Sequence, residues 1–195
     1  MWKINEIFYS IQGEGFHTGT PAVFIRFSGC NLNCSFCDTN HHEGKTMSLY
    51  EVINEVKRYP NARMVVLTGG EPSLFVNQAM VDALKRTGKM VAIETNGTHK
   101  LPDGIDWITL SPKTSFAGGD SAPLVLTECN ELKVVYLGQD LKQYANIKAE
   151  HRYLQPCYCD DDDIRQYTMH SCLNAVLNSA DWRLSLQTQR VLNIR

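Results

Sequence analysis

Met64-Val65-Val66-Leu67-Thr68-Gly69-Gly70-Glu71-Pro72 reads as a short buried strand running straight into a polar, glycine-rich turn. Four consecutive apolar residues without alternation are the mark of a strand covered on both faces. Two glycines and a proline then end it. Helices flank it. Upstream, Ser48 and Glu51 form a capping box, and Leu49, Val52, Ile53 and Val56 make one apolar stripe, so a helix is predicted to about residue 59, ended by Pro60-Asn61. Downstream, 77–87 reads as a second helix closed by Gly88, and 90–93 as the next strand. A strand, crossover helix and strand in that order imply parallel pairing.

The same rhythm extends both ways. Residues 4–11 read as an extended segment and 21–27 as a buried strand interrupted by Arg26. An Arg there needs a partner, either a bound carboxylate or a structural Asp or Glu. Further strands are predicted at 107–110 and 132–137, followed by a helix at 140–147. Tyr153-Leu154 leads into Gln155-Pro156, and Asp163 is placed as the cap of a helix over 164–178. Residues 114–131 read as a mobile loop over the site followed by a short strand. The fold class is α/β with a largely parallel sheet, in one domain spanning 1–195. In such folds ligands collect at the C-terminal ends of the strands. Every unusual polar motif lies at such an end: Thr68 to Pro72, Glu94-Thr95-Asn96-Gly97-Thr98, Ser111-Pro112-Lys113, Gln155-Pro156, and the loop after the 21–27 strand.

That loop is Cys30-Asn31-Leu32-Asn33-Cys34-Ser35-Phe36-Cys37, a C-x3-C-x2-C spacing. Three thiolates on one short loop can hold three irons of a [4Fe–4S] cluster and leave the fourth open. A zinc site completed by His41 or His42 is the competing reading. The seven cysteines are odd in number and clustered, which points to metal chemistry in a reducing cytoplasm rather than a disulfide framework. A net charge of −2 argues against a nucleic-acid partner. No apolar run is long enough to span a membrane, and Met1 to Glu6 lacks the apolar core of a signal peptide.

The cysteine spacing, with Phe36 before the last Cys, resembles the signature of the radical S-adenosylmethionine (SAM) superfamily, and Gly69-Gly70-Glu71 resembles its GGE motif. Across nearly the whole chain the sequence resembles the 7-carboxy-7-deazaguanine synthases. The matching stretches include Glu6 to Gly15, Gly29-Cys30-Asn31-Leu32, Cys37-Asp38-Thr39, Thr68 to Pro72, Glu94 to Thr98, Ser111-Pro112-Lys113, Gln155-Pro156, and Trp182 to Thr188. The resemblance implies an incomplete (β/α) barrel reduced in helices, commonly a homodimer. It implies a [4Fe–4S] cluster, SAM and Mg2+ as cofactors, and flavodoxin or a similar reductant. Cys30, Cys34 and Cys37 would bind the cluster, and Thr39 the magnesium. Phe36, Cys37, Asp38, Gly70, Glu71, Ser111, Pro112, Lys113, Gln155, Pro156, Cys157 and Tyr158 would line SAM, with Glu71 pairing with its amino group. Ile11, Gln12, Gly13, Arg26, Thr68, Glu94, Gln189 and Arg195 would bind the substrate. The implied reaction cleaves SAM reductively to a 5′-deoxyadenosyl radical, which takes hydrogen from 6-carboxy-5,6,7,8-tetrahydropterin. The ring then contracts with loss of ammonia.

Gln187-Thr188-Gln189 stands where the family often has Gln-Thr-His, so a group that cannot titrate near neutrality occupies that position. Cys129, Cys157, Cys159 and Cys172 read as free thiols. Asp160 to Asp163 read as a solvated turn and cap, and the remaining histidines carry no pattern. Leu184 and Leu186 alternate with polar residues as in a half-buried strand, and Val191, Leu192 and Ile194 continue apolar. The expectation is a tail docked in the barrel mouth with the Arg195 α-carboxylate inside. The alternatives are another small radical SAM enzyme, such as a glycyl-radical activase, and a zinc-stabilised binding module.

Overall fold

A computed structural model describes residues 1–113 and 123–195. In chain order the strands are β1 (Trp2–Ile11), β2 (Pro21–Phe27), β3 (Lys45–Met47), β4 (Met64–Gly69), β5 (Met90–Thr95), β6 (Trp107–Leu110), β7 (Glu128–Tyr136), β8 (Lys148–Pro156) and β9 (Arg183–Leu184). The helices are α1 (Leu49–Lys57), α2 (Gln78–Lys85), α3 (Asp162–Leu177) and α4 (Thr188–Val191). The nine strands of the described residues join one sheet in the order β3-β1-β2-β4-β5-β6-β7-β8-β9. From β2 onward every neighbouring pair is parallel, while β1 is antiparallel to both β2 and β3. The ends β3 and β9 do not pair with each other, so the barrel is incomplete.

Alternation along the strands makes two apolar layers. Val23, Ile25, Phe27, Val65, Leu67, Val91 and Ile93 pack outward against Val52 and Val56 of α1 and Met80, Val81 and Leu84 of α2. Leu110, Leu132, Val134 and Leu154 continue that layer toward Cys172 of α3 and Trp182. On the other face Phe8, Ala22, Phe24, Met64, Val66 and Ala92 plug the base of the barrel, with Trp107 packed against them. Both faces of β4 are therefore buried, which is why it reads as an unbroken apolar run. Each such Val, Leu or Phe contributes on the order of 1.5–3 kcal/mol.

Ser48 and Glu51 make the predicted capping box on α1, and the Asn77 side chain caps α2. Three expectations need correction. The cap of α3 is Asp161, whose carboxylate accepts from the Ile164 amide, and not Asp163. A single 3-10 turn, Leu141–Tyr144, replaces the helix expected at 140–147. Tyr144 and Ile147 are drawn into the core and the chain re-enters the sheet at Lys148. The strand expected at 132–137 begins earlier, at Glu128. The loop expected from 114 lies outside the described residues as far as 122. No described helix is long and apolar enough to cross a membrane.

Candidate active site

Three loops at the C-terminal ends of the parallel strands are stitched into one surface. The cysteine loop leaves β2 and the Thr68–Pro72 turn leaves β4, its parallel neighbour. The Gly70 amide donates to the Phe27 carbonyl at 3.0 Å, and the Glu71 amide to the Gly29 carbonyl at 2.9 Å. A Cβ on Gly70 would stand 1.9 Å from that Gly29 oxygen, so only glycine lets the two loops close. Asn31 ties the cysteine loop to the turn after β5. Its Nδ2 donates to Thr98 Oγ1 at 2.9 Å, and its Oδ1 accepts from Asn96 Nδ2 at 3.1 Å. Glu71 is 1% exposed and completes the knot. Its carboxylate accepts from Thr95 Oγ1 at 2.6 Å, the Asn96 amide at 2.7 Å and the Ser73 amide at 3.0 Å. Glu71 thus anchors the turn.

Cys30, Cys34 and Cys37 are free thiols on this loop, with the Cys37 amide donating to the Cys34 carbonyl at 3.1 Å. Burial pushes the Cys30 and Cys34 thiols up, and both feel the charge of Cys37. Among the described residues no three His, Cys, Asp or Glu side chains stand as a ready-made metal site. The donor chemistry nonetheless fits a cluster with an open iron: three sulfurs on one loop, and a glycine turn packed against them. The His41 and His42 rings lie 4.6 Å apart, tilted by 40° to each other. Cys129 and Cys172 are buried free thiols, pushed up to about 12 by burial.

Inside the barrel a polar row crosses the sheet above the apolar plug. Register aligns Arg26 with Thr68, Glu94 with Thr109, Thr109 with Glu131, and Glu131 with His151. Glu94 accepts from Gln12 Nε2 and Thr68 Oγ1, each at 3.0 Å, uniting three of the residues expected to bind substrate. Arg26 finds its partner in Glu6, with Nε 3.0 Å from Oε1; the half-buried Arg has a structural carboxylate. Arg195 Nη1 lies 3.2 Å from the other oxygen of Glu6, and both guanidiniums lie over the Phe8 ring. Thr39 Oγ1 stands between Arg26 Nη1 at 3.3 Å and Asp38 Oδ1 at 3.4 Å.

The strongest charges here escaped the sequence reading. Lys133 Nζ lies 2.5 Å from Glu14 Oε2 and 3.5 Å from Glu94 Oε1, and only 7% of its side chain is exposed. Burial alone would push the Glu14 carboxyl up, but the charge and hydrogen bond of Lys133 outweigh it and hold Glu14 at about 2. Burial lowers the Lys133 ammonium less than Glu14, Glu94 and Glu131 raise it, so it stays charged. Glu131 is pushed up by burial against the pull of Lys133, and it accepts from the Phe16 amide at 2.9 Å. Lys113 is pulled down by burial and by Lys133, and donates to the Ser111 carbonyl at 2.9 Å. The signal for Lys133 was present: Glu131 and Lys133 alternate with Leu132 and Val134, which puts both charges on the inner face.

The C-terminal segment crosses the open seam. Gln155 Oε1 accepts from Ser185 Oγ, which itself accepts from the Gly15 amide, both at 3.0 Å. The Thr188 amide donates to the Gly13 carbonyl at 3.0 Å. Gln189 Nε2 donates to Glu14 Oε1 at 2.9 Å, while its Oε1 is buried without a partner beside Gly13. The expected alternation fails here. β9 ends at Leu184, Ser185 turns inward to make its two hydrogen bonds, and Leu186 is exposed. Val191, Leu192 and Ile194 are also exposed, so apolar packing does not hold the tail. The Arg195 carbonyl oxygen accepts from Ser10 Oγ at 2.5 Å on β1, beside an open hollow of about 460 Å³ lined by Tyr9, Ser10, Ile11, Pro21, Ile194 and Arg195.

A model of the Radical SAM superfamily matches residues 24–117. The chain is 53% identical over 195 residues to 7-carboxy-7-deazaguanine synthase of Bacteroides thetaiotaomicron, covering all of both chains. It is 32% identical to the same enzyme of Escherichia coli K12 over 228 residues, covering 99% of each. The crystal structure of QueE from Escherichia coli superposes with a TM-score of 0.73 at 30% identity, covering 96% of this chain and 94% of that one. These likenesses displace the zinc-module and activase readings, and the superfamily implies SAM and a [4Fe–4S] cluster. The chain belongs to the 7-carboxy-7-deazaguanine synthase family of radical SAM enzymes.

Proposed function

We propose that this chain converts 6-carboxy-5,6,7,8-tetrahydropterin to 7-carboxy-7-deazaguanine, as a carbon–nitrogen lyase of 7-deazapurine (queuosine) biosynthesis. The observation that carries this is the convergence, at one end of one sheet, of the cysteine loop, the Gly70-Glu71 turn and the Arg26–Thr68–Glu94 row. Cys30, Cys34 and Cys37 hold the cluster. Phe36 to Asp38, Gly70, Glu71, Ser111 to Lys113 and Gln155 to Tyr158 line SAM. Glu71 has three donors of its own, so it serves the SAM ammonium chiefly by fixing the turn.

When bound, the cluster and SAM supply one-electron chemistry. The protein's part is to bind, orient and exclude water. Substrate and product differ by one ammonia, so the overall change is redox-neutral. Arg26 and Arg195 bring two positive charges to the single Glu6 carboxylate, which leaves attraction for the pterin carboxylate. Gln12, Thr68 and Glu94 form a pre-joined polar edge for the heterocycle, with the Ile11 and Gly13 backbone beside it. The unpartnered Oε1 of Gln189 accepts a pterin N–H, a role His would share but without needing to titrate. The Thr39 hydroxyl would hold the magnesium, which would supply positive charge that, with Arg26 nearby, draws in the negatively charged substrate.

The working protein is a single-domain homodimer in the reducing cytoplasm, where its seven free cysteines stay reduced and flavodoxin or a similar donor supplies electrons. The test is anaerobic loading with iron and sulfide, then incubation with SAM, dithionite and the carboxypterin. Formation of 7-carboxy-7-deazaguanine supports the reading. Cleavage of SAM with the carboxypterin untouched would assign the chain another radical reaction.

A further inference from the structure

Two carboxylates, Glu14 and Asp38, grip the start of the C-terminal segment around Gln187, and they belong to different halves of the site. Glu14 lies deep, with one oxygen on Lys133 and the other accepting from Gln187 Nε2 at 3.1 Å and Gln189 Nε2 at 2.9 Å. Asp38 lies at the rim, one residue after Cys37. Its Oδ2 accepts from the same Gln187 Nε2 at 3.2 Å and from Arg190 Nη2 at 3.0 Å. Arg190 Nε also donates to Gln187 Oε1 at 3.0 Å. The guanidinium lies over the Tyr158 ring, with Cζ 3.7 Å from its centroid. A continuous polar line thus runs from Lys133 through Glu14, Gln187 and Asp38 to Arg190 and Tyr158. It joins β7, the 12–15 turn, α4, the cysteine loop and the end of β8.

Val191 and Leu192 are 77% and 54% exposed, so polar contacts hold the tail, and this line is the set of them that reaches the cysteine loop. Past α4 the tail continues to Arg195, with the Ile194 amide donating to the Gln189 carbonyl at 2.9 Å. We propose that Gln187 and Arg190 are positioning residues that couple occupancy of the SAM side of the site to the seating of the tail that bears Gln189 and Arg195. This rests on the reading of Asp38 and Tyr158 as SAM-lining. The physical argument is linkage. With the tail seated, Arg190 and Gln187 fix Asp38 and Tyr158. A ligand that needs those groups fixed binds the seated state better, and by reciprocity shifts the tail toward it. Arg190 and Asp38 are 35% and 45% exposed, so the latch is weak enough to open for substrate entry.

The test is hydrogen exchange of the tail amides at 188–194 in cluster-loaded protein, with and without SAM and without any pterin. In the parent, SAM should slow exchange at least about fivefold, the lower end of ordinary coupling. In Arg190→Ala and in Gln187→Ala that dependence on SAM should vanish, and SAM itself should bind at least about fivefold more weakly. Arg190→Lys keeps the charge but loses the planar stack, and should fall between. A purely structural role would raise tail exchange equally with and without SAM. Equal SAM-dependent protection in parent and Arg190→Ala, or none in the parent, overturns the proposal. A parent whose tail responds to SAM but which leaves the carboxypterin untouched overturns the proposed substrate and leaves this coupling standing.

Discussion

Lys133→Met should reverse how stability depends on pH. Lys133 faces Glu14 and Glu94 at 2.5 and 3.5 Å, with Glu131 on the same strand face. At an effective dielectric of about 20 those two pairs amount to roughly 7 and 5 kcal/mol of gross attraction, most of it offset by desolvation. Removing one partner of such a buried pair costs about 3–5 kcal/mol net. Glu14 shows the sign. Its carboxyl falls from 4.5 to about 2, so its ionised form adds stability that is complete above 4.5 and fades as pH drops toward 2. The shift corresponds to roughly 3 kcal/mol. Between pH 5.5 and 8.5 the parent therefore gains and loses nothing from Glu14. Without Lys133 the largest remaining influence is burial, which raises Glu14 and Glu131 alike. Each must then bind a proton in the fold that it lacks when unfolded, and stability falls as pH rises, by up to about 1.4 kcal/mol per unit for each. Urea unfolding of parent and Lys133→Met at several pH values, under argon, measures the difference. A destabilisation that grows with pH fits; one that is constant across the range refutes the buried-charge argument. Adding Glu14→Gln to Lys133→Met should recover part of the loss at high pH.

Cys34→Ala should yield colourless protein that forms no 5′-deoxyadenosine, checked by the visible spectrum and chromatography; a brown, active variant would remove Cys34 from the cluster. Magnesium should raise turnover, and Thr39→Ala should weaken that dependence in a metal titration; superimposable titrations would count against Thr39. One Gly appended after Arg195 moves the chain-end carboxylate away from Ser10, and should cut carboxypterin turnover at least about tenfold, or roughly 1.4 kcal/mol, while the cluster still loads. Unchanged steady-state kinetics would place the chain end outside the substrate site.

The parallel core was legible because β2, β4 and β5 are short apolar runs, each ended by a polar turn with helices between them. The cysteine loop and the Gly70-Glu71 turn were legible as chemistry because no packing need explains them. Their contact at Gly29 was not, since a glycine that yields to another backbone looks like any turn glycine. Lys133 was hidden because its closest partner, Glu14, lies on a loop far away in sequence that meets it only in the fold. The tail misled for a related reason. Alternating Leu184 and Leu186 suggest a strand, but Ser185 has two buried hydrogen-bond partners and turns inward.

The most direct measurement feeds cluster-loaded protein with carboxypterin labelled throughout with nitrogen-15, in the presence of SAM, reductant and magnesium, and counts the labelled ammonia released. One labelled ammonia is expected for each 7-carboxy-7-deazaguanine formed, with the remaining label retained in the product. Consumption of the pterin without labelled ammonia, or a product that keeps every labelled nitrogen, would contradict it.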